Sequence, residues 1–161
     1  MSNTKTKEST MNIHQKLQGI QAELKAPKGQ TNKFGGYRYR SCEDILTALK
    51  PLLAQYTCTL AISDDIVEVG GRVYVKATAT LASTSYEDDY TINVSGFARE
   101  AETKKGMDDA QITGSASSYA RKYALNGLFA IDDTKDPDAT NTHGKGEPSY
   151  KKKTQTLDGL I

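Results

Sequence analysis

Between Arg72 and Leu81 the chain alternates without a slip: Val73, Val75, Ala77, Ala79 and Leu81 take one set of positions, and Arg72, Tyr74, Lys76, Thr78 and Thr80 the other. Successive side chains point to opposite sides only in an extended backbone, so this run predicts a strand with one apolar and one wet face. Gly70-Gly71 just before it reads as a two-residue hairpin turn. Strand-like sequence lies on both sides. Thr57 to Ser63 continues through Ile66 to Val69 ahead of the turn, and Asp89 to Ala98 follows, with Tyr90, Ile92 and Val94 alternating against Thr91, Asn93 and Ser95. A three-stranded antiparallel meander results, and its apolar face needs a cover.

The segment from Asp108 to Asp133 supplies that cover. Ile112, Ala116, Tyr119, Ala120 and Tyr123 recur at three- and four-residue steps and predict one helical stripe, with Arg121 and Lys122 lying off it. Asp108 and Asp109 suit a helix N-terminus, and Asn126-Gly127 suits a left-handed cap at the other end. Gly114, Ser115, Ser117 and Ser118 lower helix propensity, which predicts close approach of another backbone. Two helices precede the strands. Ile13, Leu17, Ile20 and Leu24 mark the first, ended by Pro27 and Gly29. Ser41 and Asp44 form a capping-box pattern ahead of Ile45, Leu46, Leu49, Leu52 and Leu53, with Pro51 expected to kink that second helix. The fold class is therefore α+β: two helices, then a β-β-β-α core in which the long C-terminal helix packs on the meander.

Apolar periodicity confines the folded core to residues 12–133 of the 161, leaving 1–11 and 134–161 as polar tails expected to be disordered. No apolar run reaches the roughly 20 residues of a membrane span, so a cytoplasmic protein is expected. Cys42 and Cys58 form no C-x-x-C pair, and His14 and His143 add no zinc spacing. Residues 136–147 match the first, third and twelfth positions of a calcium loop but carry Asn141 where glycine is required. Asp64, Asp65, Glu100, Asp108 and Asp109 read as turn and cap residues, with a two-metal nuclease as the competing reading. Phosphate-loop, dinucleotide and serine-hydrolase motifs are missing, so no cofactor is expected and any work on DNA would be independent of ATP.

A net charge of +1 makes no global case for nucleic acid, but local clustering does. Lys25, Lys28, Lys33, Arg38 and Arg40 fall in one stretch without an acid, interleaved with Phe34, Tyr37 and Tyr39. Cations track phosphates and aromatic faces stack bases, the composition of a single-strand binding surface; a solvated basic loop has the same look. The wet sheet face carries Arg72, Tyr74 and Lys76, extended by alternation to Arg99, and Lys104-Lys105 follows in a loop; a solvated sheet face and a plain exposed loop are the competing readings. Together with Arg121 and Lys122, these are the candidate DNA-binding residues: Lys33, Tyr37, Arg38, Arg40, Arg72, Tyr74, Lys76, Arg99, Lys104, Lys105, Arg121 and Lys122.

Two motifs, K-F-G-G-Y-R-Y-R-S-C-E-D-I-L-T-A-L-K-P-L-L at 33–53 and G-M-D-D-A-Q-I-T-G-S-A-S-S-Y-A-R-K-Y-A-L at 106–125, resemble the ERF (essential recombination function) family of phage single-strand annealing proteins. The resemblance implies ATP-independent binding of single-stranded DNA, annealing of complementary strands in phage recombination, and a homo-oligomeric ring or filament. A host single-stranded-DNA-binding protein or a phage exonuclease is the kind of partner it implies. The second motif is also similar to the helix of eukaryotic double-strand-break-repair annealing proteins, whose adjacent basic residues hold the DNA backbone; by position these are Arg121 and Lys122. A passive single-strand binding module for DNA or RNA is the alternative.

Overall fold

The computed structural model describes residues 11–33, 35–85 and 90–132. Helix α1 (Ile13–Glu23) starts at Asn12, whose side chain accepts from the Gln15 amide while Gln15 reaches back to the Asn12 amide. Helix α2 (Cys42–Gln55) opens with the same reciprocal box between Ser41 and Asp44, as the sequence predicts. Those hydrogen bonds from Ser41, backbone first, hold the Asp44 carboxyl below its ordinary pKa. Helix α3 (Asp109–Leu128) is boxed by Asp108 and Gln111. All three helices thus begin by satisfying amide donors that have no partner within the helix.

Strands β3 (Cys58–Val69), β4 (Arg72–Ser83) and β5 (Thr91–Arg99) form an antiparallel sheet in that order. Gly70 and Gly71, at φ +60 and +70, make the hairpin between the first two. The alternation of β4 comes out as expected. Val75, Ala77, Ala79 and Leu81 are buried under α3, while Thr78 and Thr80 pair across the outer face with Ser95 and Asn93. The core joins this sheet face to Ala116, Ala120, Ala124, Leu125 and Leu128 of α3, and to Ile13, Ile20, Ile45 and Leu49 of α1 and α2.

Close approach occurs, but at a different glycine from those that the helix sequence suggests. A Cβ on Gly96 of β5 would lie 2.5 Å from the Ala120 carbonyl oxygen and 2.9 Å from the Tyr123 carbonyl carbon, so the α3 backbone rests directly on the strand. Gly114 sits on the exposed side of α3, where a Cβ would meet nothing within 4 Å. The buried stripe is Ile112, Ala116, Ala120 and Ala124, stepping by four, and Tyr119 and Tyr123 are instead exposed on its flank.

Other departures are local. The helix does not end at Asn126-Gly127: it runs to Leu128, and the left-handed residue is Ala130 at φ 51. Gly127 is used for packing, since a Cβ there would come within 3.0 Å of Val94 Cγ1. Helix α1 stops at Glu23, short of Pro27, and Pro51 lies within α2, which continues to Gln55. Asp64 and Asp65 are mid-strand rather than turn residues. Between α1 and α2 the chain forms a small hairpin: β1 (Gln30–Asn32) pairs with β2 (Tyr37–Tyr39).

Lys16 is 1% exposed, and its Nζ donates to Thr57 Oγ1 at 3.0 Å and Ser83 Oγ at 2.7 Å, tying α1 to the open end of the β3–β4 hairpin. Those hydroxyls offset part of the cost of burying an ammonium group. Residues 1–10 and 133–161, which contain most of both predicted tails and the calcium-loop match, lie outside the described residues.

Candidate nucleic-acid interface

The β1–β2 hairpin stands on the N-terminus of α2. Its turn is held by Asn32, whose Oδ1 accepts from the Gly35 amide at 3.0 Å and whose Nδ2 donates to the Tyr37 hydroxyl at 3.0 Å. Gln30 donates to the Asp44 carboxylate at 3.4 Å, linking the hairpin to the helix cap. Tyr37 and Tyr39 project from the same strand face and meet edge to face at 6.3 Å. Both are exposed, as are Lys33 and Arg38, so the basic and aromatic side chains of this segment face solvent together.

Arg40 is the exception. It is 8% exposed, and its Nη2 donates to the Asp132 carbonyl at 3.2 Å, so its head is turned into the protein and joins the hairpin to the chain leaving α3. An extended backbone through Tyr37-Arg38-Tyr39-Arg40 sends the tyrosines to one face and both arginines to the other, but β2 ends at Tyr39 and the backbone turns into α2.

Beside the hairpin, Tyr39, Ser41, Cys42 and Glu43 face Ser118, Tyr119 and Lys122 across a groove of about 140 Å³. The two segments are about 75 residues apart in sequence, and this groove is where they meet. Lys122 is half-buried in its wall. Cys42 lies beneath, with its thiol pKa raised, chiefly by burial and secondly by Glu43.

Arg121 is directed toward β3. Its Nε donates to Asp64 at 3.1 and 3.0 Å, its Nη2 lies 2.9 Å from Oδ2, and Ser117 donates to the same oxygen at 2.6 Å. Burial works to raise the Asp64 carboxyl, but the hydrogen bonds from Arg121 and Ser117 and the guanidinium charge outweigh it, leaving the carboxyl below its ordinary pKa. The same pairing raises Arg121. The adjacent cations therefore differ: Arg121 clamps α3 to β3, and Lys122 faces the groove.

Arg72, Tyr74 and Lys76 occupy the outer face of the sheet, with Tyr74 opposite Arg99 and Lys76 opposite Phe97. Since α3 covers the inner face, the sheet separates this cluster from Lys122. Arg99 lies at the rim, where the edge strand β5 meets the α3 side, and Lys104 and Lys105 are exposed in the loop that follows. The candidate residues thus form two surfaces. Among the described residues no group of three or more His, Cys, Asp or Glu side chains could hold a metal ion, and no helix is long and apolar enough to cross a membrane.

The segments that form this groove are matched together by one family model, that of the ERF superfamily, over residues 13–158. The chain belongs to the ERF superfamily. It is 52% identical over 144 residues to the essential recombination function protein of Salmonella phage P22, an alignment covering 89% of this chain and 67% of that protein. No solved structure matches. As a member of the ERF superfamily, and like its P22 relative, the protein has a role in phage recombination. The match to the ERF superfamily also runs past the core to residue 158, into a segment that the two sequence motifs leave without a role.

Asp64 was the least legible participant in this ERF protein, although the sequence carries a signal for it. Leu60, Ile62 and Ile66 share its parity, and a carboxylate interrupting an inward-facing apolar row requires a cationic partner.

Proposed function

We propose that the protein binds single-stranded DNA without ATP and anneals complementary strands during phage recombination, working in the host cytoplasm as a homo-oligomeric ring or filament. The observation that carries this reading is the groove in which Tyr39 to Glu43 meets Ser118 to Lys122, joining the two segments that carry the family resemblance. Lys122 and the exposed Lys33 and Arg38 would hold phosphates, and Tyr37 and Tyr39 would lie alongside bases. Backbone-directed contacts leave base edges open to a second strand, which annealing requires. The outer-face cluster of Arg72, Tyr74 and Lys76 would take a separate stretch of DNA or the incoming strand. A host single-stranded-DNA-binding protein or a phage exonuclease would deliver the strands.

The test is a pairing assay with complementary oligonucleotides, one carrying a fluorophore and the other a quencher, without nucleotide or divalent metal. Pairing faster than the spontaneous rate is expected. Binding that protects single strands while slowing their pairing would instead identify a passive binding module, and cleavage on adding magnesium or manganese would identify a nuclease.

A further inference from the structure

On the β5 side of α3, Tyr119 and Tyr123 stand one helical turn apart, 52% and 47% exposed, with ring centroids 6.2 Å apart and planes tilted by 38°. They line a groove of about 380 Å³ against the edge strand β5, whose Phe97, 51% exposed, belongs to the outer-face set of the strand and borders the groove at the sheet edge. Arg99 and Lys104 line the same groove, and no carboxylate does. Its floor is made by Ala98, Ala116 and Ile112, so the aromatic rings stand above a shallow apolar base.

Two half-exposed tyrosine rings along one groove need a reason, because the core of α3 is already completed by its alanine stripe and the rings add nothing to it. The cations restrict the occupant. An apolar peptide or a second copy docking by hydrophobic contact gains nothing from two positive charges in a groove lined by no carboxylate, whereas a polyanion with flat apolar side groups satisfies rings and cations at once. Tyr119 also lines the neighbouring groove that holds Lys122, so the two grooves adjoin at that residue.

From this we infer that the groove between β5 and α3 is a stacking site for an unpaired base of single-stranded DNA, with Tyr119 and Tyr123 supplying the faces and Arg99 and Lys104 holding the flanking phosphates. The inference rests on the proposed single-strand binding and adds a base-contacting element to it. Stacking occupies the face of a base and leaves its pairing edge free, so such a site steadies a strand without blocking annealing. It is indifferent to base identity, since every base has a face.

The deciding experiment compares two ligands of equal length and charge, oligo(dT) and an abasic phosphodiester strand, with the wild-type chain and with Tyr119→Leu/Tyr123→Leu. Leucine keeps apolar bulk without a stacking face, and circular dichroism and sedimentation establish that fold and subunit number are retained. The wild type is expected to bind oligo(dT) about tenfold more tightly than the abasic strand, and the double variant to lose that preference while keeping its abasic affinity. Equal wild-type affinity for both strands overturns the stacking site but leaves single-strand binding standing; failure to bind either overturns both. A variant whose affinity falls in step with its subunit number marks the groove as an interface between copies, which also overturns the inference.

Discussion

Two glycines separate the structural argument from a simple propensity argument. At Gly96, any side chain enters the backbone of α3: the first added carbon would lie 2.5 Å from the Ala120 carbonyl oxygen and 2.9 Å from the Tyr123 carbonyl carbon. Ordinary contact begins at about 3.4 Å, and because the obstacle is main chain, no rotamer change relieves the overlap. The helix must lift from β5, opening the layer formed by Ala77, Ala116, Ala120 and Ala124. Forcing extra volume into a filled core costs typically 1–3 kcal/mol, and a rigid obstacle puts Gly96→Ala at the upper end, about 3 kcal/mol. At Gly114 a Cβ meets nothing within 4 Å and the backbone is helical. There alanine should stabilise by about 0.5–1 kcal/mol through helix propensity and a less flexible unfolded chain. Thermal and urea unfolding at matched protein concentration should therefore move in opposite directions for the two variants, with Gly96→Ala lowering Tm by roughly 10 °C. A Gly96→Ala protein as stable as wild type with an unchanged urea slope would refute the direct seating of α3 on β5.

The other perturbations sort the cations by role. Lys122→Ala should weaken single-strand binding and lower the salt slope of the affinity by about 1, with melting unchanged; a salt titration reads both. Arg40→Met should behave oppositely, destabilising the fold because Arg40 is buried and holds the Asp132 carbonyl, while the salt slope stays put. Asp64 carries the pH prediction. Its carboxyl is depressed in the folded state, so the stabilisation it provides is present above its ordinary pKa of about 3.9 and is lost as pH falls through the lower folded value. Asp64→Asn should flatten the loss of stability below about pH 4, and an unchanged acid limb in the variant would show that the Asp64–Arg121 pair contributes nothing to it.

Legibility followed the kind of signal. The β4 alternation, the Gly-Gly turn and the cap at Ser41 were readable because each is local: a strand or cap is specified by residues within a few positions. The stripe on α3 was readable only in part. Tyr119 and Tyr123 share spacing with the core positions, and hydrophobicity does not distinguish a buried ring from one presented to solvent. Arg121 and Lys122 look equivalent in sequence and differ only because α3 crosses β3 at Asp64, a contact 57 residues away in the chain. Arg40 was misplaced for a similar reason, since its partner is the backbone at Asp132. What sequence could not supply in each case was a long-range neighbour.

The two sides of the groove beside Lys122 differ in mechanical character. On one side is α3, seated backbone to backbone on Gly96 and boxed at its start, so its central amides should be among the slowest in the protein to exchange with deuterium. On the other, the capped first turn of α2 is joined by Tyr39, the last residue of a hairpin of two three-residue strands to which, among the described residues, no third strand is hydrogen-bonded and in which every residue of β2 is exposed. The hairpin amides should exchange within the earliest time points. A polymer entering such a cleft meets one hard wall that sets its path and one compliant wall that can yield to purines and pyrimidines of different size, so uneven stiffness becomes a route to tolerance of any sequence.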